Sequence, residues 1–245
     1  MWQAQSMRLL TKSKIRKFFL DLFFPKNCLG CNQPDTYLCR DCFNKIPLAS
    51  NNTCFFCEEI TGQGRICINC KKGKHLDRII SASEYKNLLI RELIRAFKYH
   101  YVQELASPLS QLLIRTLENQ GFGFQKTDFI IVPIPLFKHR LHYRGFNQAE
   151  LIAEEIAKHF RLPIQINALK RKISRAPQAK ISDIEKRKAN IENSFAIGPE
   201  IKSIENKIVL LIDDVITTGA TLSETARIVK QNNAKEVWGI TIAKG

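Results

Sequence analysis

The sequence predicts an α/β protein in which a parallel sheet is flanked by helices, preceded by a small cysteine-rich module. Three observations predict it. From His75 onward, apolar runs of strand length alternate with stretches of helical periodicity. All eight cysteines fall between Cys28 and Cys70, in four C-x-x-C pairs. A third signal is IVLLIDDVITTGATL, Ile208 to Leu222, where a greasy run ends in two adjacent carboxylates and then in small and hydroxyl residues. The expected division is 1–27 for an N-terminal basic amphipathic segment, 28–74 for the cysteine module and 75–245 for the α/β domain.

The 245 residues suit one large domain, or a medium one plus a small one. No apolar run reaches the roughly 18 residues of a membrane span, so the chain is not expected to be transmembrane. The start, MWQAQSMRLLTKSKIRKFFLDLFFPKN, has basic residues before a short apolar patch that Asp21 interrupts, and no small-residue cleavage site follows. It reads as mature protein rather than a signal peptide. The formal charge of +15 is uneven. Residues 1–75 hold 12 Lys and Arg against 5 Asp and Glu, and residues 170–190 hold 8 against 2. Two basic zones of this kind favour polyanions such as nucleic acid, anionic lipid or phosphorylated metabolites; the alternative is a solvated basic surface.

The hooks Cys28/Cys31, Cys39/Cys42, Cys54/Cys57 and Cys67/Cys70 have the spacing that converges two thiolates on one ion, and two hooks make a tetrahedral zinc site. Four hooks make two structural Zn2+ sites, or one if the other is degraded. Sequential pairing closes the shortest loops; interleaved pairing, first hook with third and second with fourth, is the alternative. Disulfides fit poorly with the absence of a leader, and a redox C-x-x-C needs one hook beside a βαβ unit rather than four in a ribbon. Gly30 and Gly73 lie where such turns often need positive φ. Phe55 and Phe56, inside the third hook, either plug the ribbon or offer faces for bases to stack on.

Lys71 to Lys74 reads as a linker. Residues 78–85 read as a strand, and 88–99 as a helix with apolar residues at 89, 90, 93, 94 and 97. A second helix runs over about 103–118. Residues 128–135 form a buried strand that Pro133 and Pro135 end and stiffen, and 147–160 an amphipathic helix. Strand-like residues recur near 164–169 and 194–197. Residues 207–213 are a strand, 220–232 a helix and 236–243 a final strand.

If Ile208–Ile212 is a central parallel strand, the loop 213–219 sits at its carboxyl end, where open α/β sheets bind ligands. Thr217, Thr218, Gly219, Ala220 and Thr221 then present backbone N–H groups, hydroxyls and a helix N-terminus, a nest for a phosphate monoester. The stretch lacks a Lys and the Walker A spacing. Asp213 and Asp214 can accept from the vicinal hydroxyls of a ribose, and a ligand-bound Mg2+ would relieve their repulsion. The ligand implied is a ribose 5-phosphate carrying more phosphate at its other end.

This stretch resembles the 5-phosphoribosyl-1-pyrophosphate (PRPP) motif of type I phosphoribosyltransferases. VPIPLFKHRLHYRGFNQAELIA (132–153) and KRKISRAPQAKISDIEKRKANIENSF (170–195), with Pro177-Gln178 and Arg187…Asn190, are similar to segments of the ComF, or competence protein F, family of amidophosphoribosyltransferase-like proteins. The double zinc ribbon completes the likeness, which runs from about Phe23 to Ala243. The resemblance implies a type I phosphoribosyltransferase-like fold that binds PRPP with Mg2+. It implies ribose on Asp213 and Asp214, and the 5′-phosphate on Thr217 to Thr221. The turn after the 129–135 strand takes the place of the pyrophosphate loop, with Lys138, Arg140 and Arg144 as its charge. His139 and His142 are bases or polar loop residues. Residues 170–190 take the place of the lid, with Arg171, Arg175, Lys180 and Arg187 to grip either diphosphate or a nucleic-acid backbone.

The resemblance further implies a cytoplasmic DNA-uptake factor that handles single-stranded DNA in natural transformation, with a helicase or other competence-machinery partner. A second reading is an active phosphoribosyltransferase that releases pyrophosphate to an unidentified acceptor, whose nucleophile nothing in the sequence names. A third is an adaptor that docks a partner or touches a membrane surface through IRKFFLDLFF, residues 15–24.

Overall fold

The computed structural model describes residues 26–122, 124, 128–172 and 194–245. The chain divides into two compact units, Met1–Ile46 and Pro47–Gly245. The described part of the first unit is a knuckle around Cys28 and Cys31 followed by the short helix α1 (Arg40–Asn44). The N-terminal stretch at 15–24 lies outside the described residues.

The second unit is built on a four-stranded, wholly parallel sheet in the order β1 (Arg78–Glu84), β6 (Glu236–Lys244), β5 (Ile208–Ile216), β2 (Phe129–Pro133). The strands read as near-continuous apolar runs because both faces are covered. Helices α4 (Ala106–Asn119) and α6 (Gln148–Phe160) pack on one face. On the other lie α7 (Ala220–Gln231) and a core that takes in Leu222, Ala226 and Val229. That second core also holds Cys54, Ile66, Cys67 and Leu76, so the second cysteine cluster and the sheet share one apolar interior.

The segments before β1 finish its open edge. Ile79 N–H donates to Gly64 O at 2.8 Å and Ile66 N–H to Asp77 O at 3.0 Å. The Asn51 amide works as a strand substitute, donating to Ser81 O at 3.1 Å and accepting from Ser81 N–H at 3.0 Å. An edge strand left bare would be a template for pairing with other chains. Buried Asp77 clamps the same region: Lys71 Nζ lies at 2.5 Å, Lys230 Nζ at 2.9 Å, and Val237 N–H donates at 2.8 Å. Lys71 and Asp77 therefore join the ribbon to the sheet, where the sequence reads as a linker. A short helix, α2 (Ile68–Lys71), precedes this clamp.

Helix α3 (Leu88–Tyr99) buries Ile90, Leu93, Ile94 and Phe97, the face its spacing predicts. Asn87 caps it, accepting from Ile90 N–H at 3.1 Å. Three departures from the sequence reading matter. The residues after β2 form a two-turn helix, α5 (Lys138–Arg144), closed by Gly145 at φ 74°. Of the expected strands near 164–169 and 194–197, only the residues around Ile164 touch the main sheet. Ile164 makes one parallel bridge to Ile131, while β3 (Leu169–Arg171) and β4 (Phe195–Ile197) pair antiparallel with each other. Finally, β5 does not stop before the acids. Asp213 pairs with Thr241, and the ladder to β6 continues to Ile216 opposite Lys244.

Candidate functional site

Each cysteine cluster forms from consecutive hooks: Cys28, Cys31, Cys39 and Cys42 in one, and Cys54, Cys57, Cys67 and Cys70 in the other, with the sulfurs of each within 4.8 Å of one another. The two knuckles share a geometry. Asn32 N–H donates to Cys28 O at 2.8 Å with Asn32 at φ 62°, and Glu58 N–H donates to Cys54 O at 2.9 Å with Glu58 at φ 62°. Gly73 takes a positive φ of 77°, but in the first knuckle the left-handed residue is Asn32 rather than Gly30. Cys39 and Cys67 are N-caps, and each sulfur accepts from the N–H three residues on, at 3.4 Å.

These donors fit a tetrahedral ion. With Zn–S bonds of about 2.3 Å, the sulfur–sulfur edge is about 3.8 Å; Cys31 and Cys39 stand at 3.6 Å and Cys57 and Cys67 at 3.5 Å. Burial raises the Cys28 thiol, but N–H groups of Cys39, Gly30 and Cys31 outweigh it and bring it down to about 6. Cys54 falls to about 7 in the same way, against burial, through the N–H groups of Cys67, Phe56 and Cys57. The last cysteine of each cluster goes the other way. Cys42 is pushed up to about 12 by Cys39 and then by burial, and Cys70 to about 12 by Cys57 and then by burial. Sulfurs this close oppose one another's ionisation, and a bound dication removes that opposition.

The second site lies at the carboxyl end of the parallel sheet. Asp213 and Asp214 are consecutive on β5, and strand alternation gives them different neighbours. Asp214 is buried and pairs with Lys98 Nζ at 2.7 Å. Burial opposes the charge on Lys98, but Asp214 outweighs it and raises the ammonium's pKa. Asp213 Oδ1 accepts from Asp214 N–H at 2.8 Å. Its carboxyl is pushed up to about 7, by burial first and by Asp214 second, while Lys98 and Arg171 pull it down.

Two residues past β5, Thr217 and Thr218 are exposed, and Gly219 begins α7 in the left-handed region at φ 73°. A Cβ on Gly219 would lie 3.0 Å from Phe56 Cε1 and 3.5 Å from Phe55 Cε1, so glycine is required by backbone and by neighbours alike. Ala220 N–H donates to Thr218 Oγ1 at 3.4 Å. Ala220 and Thr221 open the first turn, where helical N–H groups point outward without partners in the helix.

The expected cations separate. Arg144 turns inward, donating to Gln148 Oε1 at 3.0 Å beneath the Tyr99 ring, 5.2 Å away. Lys138, His139, Arg140 and His142 are exposed on α5. Arg171 lies between two rings, with its guanidinium carbon 3.8 Å from the centre of Phe137 and 4.4 Å from that of Phe195. Arg140 reaches the same Phe137 ring at 6.0 Å. The Arg171 Nε is buried with no hydrogen-bond partner among the described residues, and burial, then Arg140, lower its pKa to about 10. Arg175, Lys180 and Arg187 lie outside the described residues.

Sequence reading missed Lys98, Phe137 and Phe195. Only Lys98 left a signal, being four residues after Ile94 and so on the buried face of α3, where a lysine needs a partner.

A double zinc ribbon domain matches residues 19–71, and a phosphoribosyl transferase domain matches residues 147–245. The DNA utilization protein YhgH of Escherichia coli (strain K12) is 30% identical over 177 residues, covering 70% of this chain and 75% of that protein. The chain belongs to the ComF family. Competence protein F of Haemophilus influenzae is 27% identical over 225 residues, 84% of this chain and 97% of its own. Competence protein ComFC of Bacillus subtilis is 26% identical over 219 residues, 86% of each chain. As a ComF-family protein it joins a zinc-ribbon module to a phosphoribosyltransferase domain. Among the described residues, no helix is long and apolar enough to cross a membrane.

Proposed function

We propose that this chain binds PRPP at the end of β5 and handles single-stranded DNA in natural transformation, as a cytoplasmic protein of the competence machinery. The observation that carries the PRPP reading is the continuity of two strand-end carboxylates with a glycine-started helix N-terminus, Asp213 to Thr221. In this reading the α7 N–H groups and the Thr217, Thr218 and Thr221 hydroxyls hold the 5′-phosphate. Asp213 and Asp214 accept from the ribose hydroxyls. Arg171 and Arg140, like charges converging on one ring, receive the diphosphate between them, with Lys138 at its rim. Mg2+ supplies charge neutralisation on that diphosphate when bound. The eight cysteines hold two structural Zn2+ ions, which order segments too short to fold on their own cores.

The DNA reading draws on the relatives competence protein F and DNA utilization protein YhgH and on the +15 charge. A helicase partner belongs to the same reading; a peripheral membrane contact belongs to an adaptor reading through residues 15–24, which lie outside the described residues. A second reading, phosphoribosyl transfer to an unidentified acceptor, is favoured by Asp213, since a carboxyl that titrates at about 7 suits proton transfer near neutral pH.

Calorimetric titration of the whole chain tests both. Mg2+–PRPP is expected to bind wild type and to fail on Asp213→Asn/Asp214→Asn. Single-stranded DNA is expected to bind at low salt and weaken steeply as salt rises. Affinity for DNA that ignores salt, or no affinity at low salt, would sink the DNA reading. Pyrophosphate release in the presence of a base or amine, lost in the double variant, would establish the transferase.

A further inference from the structure

A cavity of about 510 Å³ opens between the third cysteine hook and the phosphate nest. That is within the range of a small-ligand site. Phe55 and Phe56 form one side, and Thr217 and Thr218 are common to the cavity and the nest. The carboxyl ends of β6 and β1 line it through Lys244 and Glu84, with Lys86 just beyond β1. The groups assigned to the ribose and diphosphate lie the other way, on β5 and around Phe137 after β2, which is β5's other neighbour in the sheet. PRPP held as above would leave the cavity unfilled. A ligand that continued past the far side of the same phosphate would enter it.

The lining says what kind of group would enter. Its charges balance, Lys86 and Lys244 against Glu58 and Glu84, and Lys244 is paired with Glu84 at 3.2 Å. A second phosphate finds no excess of cations there, whereas a neutral heterocycle finds donors, acceptors and two rings. Phe56 rests on Gly219 with Lys74 Nζ 4.5 Å above its ring, and Phe55 meets it edge-on at 5.2 Å between centroids. Phe56 thus props the nest, and Phe55 is the ring a base can use.

We propose that the cavity receives the nucleoside joined to a phosphate in the nest, so that cavity and nest together grip one step of a single-stranded nucleic acid. This rests on the phosphate-nest reading above. A base inside a duplex cannot reach such a site, which would select for single strands.

The test uses the zinc-loaded full chain, with a ten-nucleotide oligothymidylate, ribose 5-phosphate and Mg2+–PRPP as probes at one salt concentration. Phe55→Leu keeps the apolar bulk and removes the aromatic face. Thr53→Trp narrows the cavity from its rim without altering either ring. Both are expected to weaken oligothymidylate binding about tenfold and to leave PRPP binding within twofold of wild type. Ribose 5-phosphate is expected to displace the oligonucleotide from wild type. Unchanged oligonucleotide affinity in both variants would overturn the subsite, and so would equal losses of oligonucleotide and PRPP affinity, which would make the rings props alone. Failure of PRPP to bind wild type would refute the PRPP reading by itself. The subsite would still stand if ribose 5-phosphate competed, and would fall if it did not.

Discussion

Lys98 Nζ lies 2.7 Å from Asp214 Oδ1, linking the last turn of α3 to β5 inside the candidate ribose site. Both side chains are largely withdrawn from water, at 18% and 12% exposure. The pair engages one acid of the motif without ligand, and ribose hydroxyls must be accepted alongside it. Removing one partner of such a pair strands the other. Lys98→Met is therefore expected to destabilise the fold by about 3 kcal/mol, and Lys98→Met/Asp214→Leu to recover most of that loss. Urea unfolding of the two single variants and the double variant checks the coupling.

Asp213 makes stability depend on pH. Its folded pKa, about 7, stands above the ordinary 3.8, so the native state holds the proton more tightly than the unfolded chain. The group's contribution against folding is absent below about 4, grows as pH rises to about 7 and levels off beyond. Asp213→Asn is expected to raise the melting temperature relative to wild type at pH 8 and to match it at pH 4. Thermal scans across that range decide it. A constant difference at every pH would refute the shifted carboxyl.

Arg171 stacks on Phe137 and Phe195 through a planar guanidinium, which an ammonium cannot imitate. Arg171→Lys is expected to weaken Mg2+–PRPP binding about tenfold while leaving ribose 5-phosphate binding unchanged. Parallel titrations with the two ligands separate loss of the diphosphate contact from general damage.

The second cysteine cluster bears on the start of α7 directly, because Phe56 lies two residues after Cys54 and rests against Gly219. Wild type is expected to carry two zinc ions per chain by elemental analysis. Cys54→Ser is expected to lose one of them and to weaken PRPP binding more than tenfold. Chelation should reproduce that loss, and zinc should restore it. PRPP affinity that survived zinc removal would separate the two sites.

Much of this architecture was legible in local pattern. The Cys-x-x-Cys spacing marked both metal clusters, because two-residue gaps impose convergence of thiolates whatever surrounds them. The apolar stripe of α3 and the runs of β1, β5 and β6 were legible because burial on one face or on two leaves different periodicities. Asp213, Asp214 and Gly219 stood out because an acid pair and a glycine at a strand-to-helix junction follow from local backbone chemistry. The end of β5 was not legible. A run broken by two carboxylates looks finished, and only pairing with Thr241 and Ala243 of β6 extends it to Ile216.

By itself, then, the sequence determined the class of fold, the four cysteine hooks and the strand-end motif, since each depends on residues close together in the chain. Tertiary structure alone decided that the hooks pair in sequence, that Lys98 meets Asp214, that Arg171 lies between Phe137 and Phe195, and that the second ribbon completes the edge of β1 and leans on Gly219 at the start of α7. Those contacts join segments far apart in sequence, and no spacing encodes them. They arise because one sheet brings the ends of its strands to a common edge, where buried charge must find partners wherever the packing places them.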